Sequence, residues 1–269
     1  MTSPLVTVIC ICYNHARFVE EAIQSVFDQT YTPIQLIVLD DASIDTSREV
    51  ILDCLKDHPD VLFIRNERNR GHTRTFNQGI NEAQGEFIID LAGDDVLLPE
   101  RIANGIKDFE RASGKCGVHF SDAEWIDEEG KSLGFHSEKY LPRDIQDENI
   151  YKDLIHKYFI CSPTMMFRKS VIDELGGYDE KLSYEDFDFW IRSSRNWNYW
   201  YSPEVLVKKR KLRSGHSTSQ ARLFSQQSES TYVVCTKIMS LNRTIEEQSL
   251  LSDRILYEVR LNLKLLILR

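Results

Sequence analysis

The stretch "GEFIIDLAGDDVLLPE", Gly85 to Glu100, decides the fold because an apolar run ends here in two adjacent aspartates, Asp94 and Asp95. Side-by-side carboxylates repel each other unless a positive group lies between them. The pair could precede a helix, since Asp is favoured there and Pro99 suits a first helical turn. It could instead hold a divalent cation, which takes oxygen ligands. The rest of the sequence has to separate these two interpretations.

Upstream of this stretch, apolar runs alternate with amphipathic helices. The runs are "LVTVICIC" (5–12), "IQLIVLD" (34–40), "VLFIRN" (61–66) and "GEFIIDLA" (85–92). This alternation predicts an α/β fold with a parallel, doubly wound sheet and right-handed crossovers. Ligands of such sheets bind beyond the carboxyl ends of the strands. Three polar pairs are expected at that edge: Tyr13-Asn14, Asp40-Asp41 and Asp94-Asp95.

After Pro99 the pattern changes and predicts a mixed half. A helix over 99–112 leads to "GVHFSDAEWIDEEGKSLG" (117–134), in which "EEGK" predicts a hairpin turn. The stretch "PTMMFRK" (163–169) predicts a strand, and "YEDFDFWIRSSR" (184–195) predicts a helix.

The last part of the chain, from about Ser219, lacks Pro and Gly and is expected to be wholly helical. Its apolar residues near one side of a helix are Ile255, Leu256, Val259, Leu263, Leu266 and Ile267. Such a side packs on the rest of the chain, on a second copy in a homo-oligomer, or on a membrane surface. We therefore expect one domain over 1–218, with halves 1–98 and 99–218, and a helical extension over 219–269.

The composition excludes several classes of protein. The 269 residues suit one large domain with an appendage, and 42% hydrophobic with 28% charged residues is typical of a soluble globular protein. A net charge of −9 argues against a nucleic-acid partner, which would need a basic face. The first residues lack a basic start and a bilayer-length apolar run, which predicts a cytoplasmic protein. Six cysteines without CxxC or zinc spacing are expected to be structural.

Two further clusters carry candidate chemistry. In "VLDDASIDTS" (38–47), Asp41 could accept hydrogen bonds from a base or a ribose, and Ser43 or Asp45 is expected to cap the next helix. In "LGGYDEKLSYEDFDFWIR" (175–192), acids in the first turn of a helix are expected from the helix dipole alone. That explanation covers Glu185 and Asp188 well, and it leaves the role of Asp186 open.

The basic stretch "KKRKLRSGHSTS" (208–219) has two interpretations. Such runs are most often solvated surface loops. Alternatively, it forms a flexible lid whose cations close over a diphosphate.

Taken in order, these stretches resemble the family-2 glycosyltransferases of the GT-A fold, of the bacterial polysaccharide or lipopolysaccharide type. The resemblance spans roughly the first 200 residues. The stretches that carry it are "VTVICICYN", "SVFDQTYTPIQLIVLDDASIDTS", "NRGHTRTFNQGINEAQGEFIIDLAGDDVLLPERI", "IDEEGK" and "LGGYDEKLSYEDFDFWIR". The family often carries Asp where this chain has Ala92 and Arg where it has Phe76, so two side-chain contacts differ here.

The resemblance implies a site in which a nucleotide-sugar lies across the strand ends. The implied donor contacts are Cys12, Tyr13, Asn14, Asp41, Gly71, Arg74, Asn77, Asp94 and Glu185. The implied ligands of a Mn²⁺ or Mg²⁺ ion are Asp95, Asp94 and His216. Asp186 would be the general base that deprotonates the acceptor hydroxyl.

The function implied is metal-dependent transfer of a sugar, with inversion, from a nucleotide-sugar to a hydroxyl of a saccharide or lipid-linked saccharide. A UDP-sugar donor and a location at the inner face of the membrane are expected. A second hypothesis is a nucleotide-sugar-binding module without catalysis, whose helical tail serves as a docking element. A third, a nucleotidyltransferase, would need a Gly-rich basic loop after the first strand, and "CYNHARF" (12–18) is not one.

Overall fold

A computed structural model describes residues 3–112, 115–141, 149–213 and 226–267 of the chain. Within these ranges the strands are β1 (Val6–Cys12), β2 (Ile34–Asp40), β3 (Leu62–Arg65), β4 (Phe87–Ala92), β5 (Val96–Leu97), β6 (Cys116–Ile126), β7 (Ser132–Phe135), β8 (Met166–Arg168) and β9 (Asn198–Arg210). The helices are α1 (Val19–Phe27), α2 (Ser47–Cys54), α3 (His72–Glu82), α4 (Arg101–Arg111), α5 (His136–Tyr140), α6 (Tyr151–His156), α7 (Lys169–Leu175), α8 (Glu185–Ser193), α9 (Gln226–Leu241) and α10 (Ile245–Ile267). A 3₁₀ turn spans Ser162–Thr164.

The first four strands form the predicted parallel sheet, in the order β3-β2-β1-β4. In the register of the sheet, Val6 of β1 lies opposite Ile34 of β2 and Phe87 of β4. Every residue of β1 is buried. Helices cover both faces of such a sheet, which explains why its strands are continuous apolar runs rather than alternating ones.

The remaining strands extend this sheet and make it mixed. β8 pairs antiparallel with both β4 and β6, β6 pairs parallel with β9, and β5 pairs antiparallel with β9. β7 pairs antiparallel with β6, as expected for a hairpin around "EEGK". The prediction of a mixed second half on a parallel nucleotide-binding type of sheet is confirmed. One sheet runs through both predicted halves, and the division near residue 98 stays a prediction.

The prediction of a loop or lid beginning at Lys208 is wrong for its first residues. β9 continues to Arg210 and pairs in parallel with β6, with Glu124 opposite Lys208 and Ile126 opposite Arg210. The strand β6 provides the backbone hydrogen bonds that make these residues part of a strand. Their cationic composition alone gave no reason to expect this pairing. Residues 214–219, which include His216, lie outside the described residues.

Two clusters of buried side chains cover the two faces of the sheet. One includes Ile9, Phe76 and Phe167, and the other includes Cys10 and Cys12. Side chains alternate between the faces along a strand, so these cysteines share a face, as expected. All six cysteines are free thiols, and all but the half-buried Cys54 are buried.

The extension forms two helices rather than one, because α9 ends at Leu241 and α10 begins at Ile245. α10 packs against α6, and α9 packs against α8. The contact between α9 and α8 includes a fully buried carboxylate, that of Asp188 on α8. It accepts from Lys237 Nζ at 2.6 Å and from Arg192 Nε at 2.7 Å. The ammonium of Lys237 also donates to Asp179 at 2.7 Å. The tail is therefore bound to the helix that begins with Glu185 and Asp186.

α10 also leaves an apolar side exposed. Ile255, Leu256, Val259 and Leu263 lie on this side and are exposed, as are Ile245 at the start of the helix and Tyr257 and Leu261 on its other side. No helix within the described ranges has both the length and the apolar character needed to cross a bilayer.

Candidate active site

Asn14 joins the first two strand-end loops. Its backbone N–H donates to Ser43 Oγ at 2.9 Å, and its Oδ1 accepts from the N–H of Ile44 at 2.9 Å. Asn14 and Ala42 have φ of 58° and 62°, a left-handed conformation that asparagine tolerates better than most residues. Tyr13, beside this junction, is 40% exposed. Its ring is therefore available to border a planar group at the sheet edge.

Asp41 holds the loop before α3 against the same edge. Its buried carboxylate accepts from Asn66 Nδ2 at 2.8 Å and from the backbone N–H of Arg70 at 3.0 Å. It also accepts from the N–H of Gly71 at 2.9 Å. Gly71 has φ 82° and directly precedes α3. Contact of Asp41 and Gly71 with a nucleotide stays a prediction, and what they do here is position the loop.

Gly93 allows β4 to turn beside β1 directly before the acidic pair. Its N–H donates to the carbonyl of Ile11 at 2.8 Å. A Cβ at this position would lie 3.1 Å from that carbonyl oxygen and 3.3 Å from His15 Nδ1. A larger residue would therefore push the turn, and the two acids after it, away from β1.

Arg210 fixes the acidic pair. Its N–H donates to Asp95 Oδ1 at 2.8 Å, and its Nε donates to the carbonyl of Asp94 at 3.0 Å. The guanidinium also donates to the carbonyl of Asp127 at 3.1 Å and to Glu21 at 2.5 Å. Burial and the neighbouring Asp94 carboxylate raise the pKa of Asp95 to about 8. The cationic neighbours Lys209 and Arg210 do not outweigh these two effects.

Asp186 lies in the first turn of α8. Burial raises the pKa of its carboxyl to about 7, with the carboxylates of Glu185 and Asp90 acting in the same direction. His72 and a hydrogen bond from the Ser162 hydroxyl act in the opposite direction. A carboxyl with a pKa near neutrality is in the range where a general base is effective.

Lys209 interacts electrostatically with both Asp186 and the acidic pair. Side chains of neighbouring strand residues point to opposite faces, so Lys209 and Arg210 approach the pair from different sides. Burial lowers the pKa of Lys209, but four neighbouring groups outweigh it and raise the pKa: the Cys161 thiol and the carboxylates of Asp95, Asp186 and Asp94. The Nζ also lies 5.0 Å from the centre of the Trp125 ring. The charge of Lys209 therefore acts on Asp94, Asp95 and Asp186 alike.

The sequence analysis did not single out Lys209, and it also missed a pair at the other side of Asp186. His72 Nε2 lies 2.9 Å from Asp90 Oδ2. His72 begins α3, and Asp90 is the charged residue of the otherwise apolar β4. A lone carboxylate inside a buried strand was the available signal, because burying a charge is costly unless it is paired.

Three predicted donor contacts have structural partners of their own. Asn77 Nδ2 donates to the carbonyl of Tyr178 at 2.9 Å, and its Oδ1 accepts the N–H of Tyr178 at 2.9 Å. Arg74 Nε lies 3.4 Å from Glu180. The Cys12 side chain is buried in the core. Asn77 and Arg74 thus position the segment that precedes α8, and the donor contacts of all three residues stay predictions.

The two carboxylates fit a hard divalent cation that takes its remaining oxygens from substrate phosphates and water. Among the described residues, no group of three or more His, Cys, Asp or Glu side chains is arranged to hold a metal ion. The predicted third ligand, His216, lies outside those residues. The raised pKa of Asp95 is the observation that favours a cation here, because a cation would stabilise both carboxylates as anions.

A mixed sheet with this edge, flanked by helices, is the GT-A glycosyltransferase fold, and solved structures share it. Staphylococcus aureus TarS 1–349 in complex with UDP-GlcNAc superposes with a TM-score of 0.70 at 18% identity, covering 97% of this chain and 71% of that one. The Pyrobaculum calidifontis mannosyltransferase PcManGT, in complex with GDP-Man and Mn²⁺, superposes with a TM-score of 0.70 at 17% identity. That match covers 99% of this chain and 75% of that one.

Sequence comparison identifies the family to which this chain belongs. Residues 7–176 match the family described as glycosyl transferase family 2. An uncharacterized glycosyltransferase of Methanocaldococcus jannaschii is 33% identical over 215 residues, which are 78% of this chain and 72% of that protein. One of Rickettsia typhi is 31% identical, over 77% of this chain and 64% of that protein. The chain belongs to glycosyl transferase family 2, and this favours the enzyme over the binding module without catalysis.

Proposed function

We propose that this chain transfers a sugar, with inversion and with the help of a divalent cation, from a UDP-sugar to a hydroxyl of a saccharide or lipid-linked saccharide. The observation that supports the proposal is the acidic pair that Arg210 holds directly after β4, with the charge of Lys209 acting on both of these acids and on Asp186. A departing diphosphate needs positive charge, and an incoming hydroxyl needs a base. Asp94 and Asp95, through a bound cation, would meet the first requirement, and Asp186 would meet the second.

The donor is assigned to the strand-end edge. Tyr13 would border the base, Asp41 and Gly71 would bind the nucleoside, and Arg74, Asn77 and Glu185 would lie along the sugar side. The UDP-GlcNAc complex of TarS and the GDP-Man complex of the mannosyltransferase support a nucleotide-sugar as the donor. A second TarS structure holds UDP, which supports uridine as the first base to test.

Asp95 and Asp94 would hold Mn²⁺ or Mg²⁺, which would supply a Lewis acid for the departing diphosphate. His216 is kept as a predicted further ligand. Arg210 orients the Asp95 carboxylate through its N–H and holds the backbone of Asp94 through its guanidinium. The ammonium of Lys209 adds a permanent positive charge on the side where the leaving oxygen atoms would lie.

Asp186 takes the proton of the acceptor hydroxyl as that oxygen attacks the anomeric carbon. Attack from the side opposite the diphosphate gives inversion, by analogy with hydrolases in which a carboxylate activates water. Ser162 and His72 favour the ionised form of Asp186, which is the form that can accept a proton. An acceptor from bacterial surface polysaccharide or lipopolysaccharide synthesis, met at the inner face of the membrane, is supported by the family resemblance.

Calorimetry with the purified protein tests the donor site first. UDP, GDP and dTDP are titrated separately, in Mn²⁺ and then in EDTA. We expect UDP to bind in Mn²⁺, and its affinity to fall at least about tenfold both in EDTA and in Asp95→Asn, because a diphosphate without its cation is repelled by the remaining acids.

The matched control is Asp53→Asn, which removes an exposed carboxylate from α2 and should leave the affinity unchanged. Binding of UDP that is equally tight in EDTA and in Asp95→Asn contradicts the metal assignment. Binding of GDP or dTDP instead of UDP would overturn the uridine assignment alone.

A further inference from the structure

His72 and Asp90 form a polar pair between the start of α3 and the strand β4. The two atoms in contact, His72 Nε2 and Asp90 Oδ2, are 2.9 Å apart. The Asp90 side chain is 10% exposed, and its other oxygen, Oδ1, is buried without a hydrogen-bond partner among the described residues. A buried carboxylate needs a positive partner. The His72 ring, 37% exposed at the start of α3, is the group in contact with it.

The contact with the Asp90 carboxylate favours the protonated form of the His72 ring. Desolvation of the ring opposes protonation, but the charge of Asp90 and its hydrogen bond raise the pKa of His72 to about 10. Glu185 and Asp186 act in the same direction. Attraction between charges is mutual, so a cation that is stabilised by Asp186 also stabilises Asp186 as an anion.

The environment of Asp186 contains groups of both signs. Those that interact with it electrostatically or by a hydrogen bond are Glu185 on its own helix, Asp90 on β4, His72 on α3, Lys209 on β9, Cys161 and Ser162 at the 3₁₀ turn, and Tyr178 and Tyr184 before α8. The two carboxylates and burial favour its protonated form, which cannot act as a base. Any group that keeps it ionised therefore contributes directly to the rate.

We propose that His72, held in place by Asp90, is a positioning residue of the transferase site whose positive charge keeps the Asp186 carboxylate ionised. The inference rests on the proposed role of Asp186 as the base. Asp90 has a double effect, because it holds the cation next to Asp186 but is itself an anion that Asp186 repels. His72 thus offsets the negative charge of Asp90, which by itself would favour the protonated form of Asp186.

The test is a carboxyl titration by nuclear magnetic resonance of protein carrying ¹³C-labelled aspartate, without metal or nucleotide. The Asp186 signal is identified by its loss in Asp186→Asn. In His72→Gln we expect its titration midpoint to rise by about one pH unit, the effect of losing a nearby opposite charge. In His72→Lys, which keeps the charge, the midpoint should stay near that of the wild type. In the double variant with Asp90→Asn, the midpoint should fall below that of His72→Gln alone.

The control is His58→Gln, which removes a ring stacked on Phe27 at 3.9 Å and should leave the Asp186 midpoint unchanged. Equal midpoints in His72→Gln and the wild type overturn the inference, as does an equal rise in His72→Lys. With an active enzyme, the acid limb of kcat/KM should move up by the same amount in His72→Gln, with the Kd for UDP unchanged. A wild type that transfers no sugar contradicts the proposed function, while the carboxyl titration still decides the role of His72.

Discussion

At the scale of single residues, Asp186 and Asp188 show how position on one helix separates chemistry from structure. Two residues apart on α8, they lie about 200° apart around the helix axis. Asp188 is fully buried between Arg192 and Lys237, and its role is to bind the tail. Asp186 is not bound by either of these cations, and burial and Glu185 raise the pKa of its carboxyl to about 7. The dipole argument from the sequence accounts for acids in this turn but does not distinguish their roles.

Asp186→Asn tests the proposed base. The amide keeps the shape of the side chain but cannot accept a proton, so we expect kcat to fall by about 10²–10⁴-fold. The Kd for UDP, measured by calorimetry, should change little, because the base acts on the acceptor. Asp60→Asn, on the turn before β3, is the control and should leave kcat unchanged.

The pH dependence gives a second measurement on the same residue. A base with a pKa of about 7 is protonated below that pH, so kcat/KM of the wild type should fall about tenfold per pH unit on the acid side and level off above it. A wild-type profile that is flat from pH 5 to pH 8 contradicts the assignment, as does full activity of Asp186→Asn.

At the scale of elements, the contact between α9 and α8 explains what the tail does for the site. Lys237 of α9 is the cation that reaches Asp188 from outside the helix, and it also pairs with Asp179 in the segment leading into α8. The tail therefore restrains the helix that carries the proposed base. The helical character of this region was predictable from its composition, but its partner was not, since the contact depends on residues far apart in the chain.

Lys237→Met tests this restraint. Breaking a buried ion pair typically costs 3–5 kcal/mol, and because Arg192 still pairs with Asp188 we expect a loss of about 3 kcal/mol in the free energy of unfolding. Lys152→Met is the matched control, because Lys152 pairs with Glu246 at the surface, where a loss below about 1 kcal/mol is expected. Urea unfolding curves of both variants measure the difference, and equal losses would contradict a structural role for the buried pair.

The elements also show what could be predicted from the sequence. β1, β2 and β4 were recognised because strands covered on both faces are continuous apolar runs. The end of β9 was misjudged because "KKR" (208–210) has the composition of a loop, and only its pairing with β6 makes it a strand. Lys209 and the His72–Asp90 pair were missed for the same reason. Their roles arise from contacts between elements that no local pattern contains.

At the scale of the whole molecule, the exposed apolar side of α10 is the feature that bears on partners. A second copy and a membrane surface are the two predicted occupants, and we expect the second copy because a chain of net charge −9 is repelled by anionic lipids. Leu256→Glu should then lower the mass measured by sedimentation velocity, while Ile44→Glu, an exposed residue at the other end of the chain, should not. A protein that is monomeric and does not bind anionic vesicles would contradict both predicted occupants, the second copy and the membrane surface.

The pairing of β5 with β9 determines where an inserted segment would enter and leave this part of the sheet. Val96 and Leu97, just after the acidic pair, lie opposite Lys208 and Val207, just before Arg210. The segment between Leu97 and Val207 therefore begins and ends at neighbouring backbone positions, a few residues from Asp95 and from Arg210. An insertion within that span therefore begins and ends at paired backbone positions, and Asp94 and Asp95 keep their place.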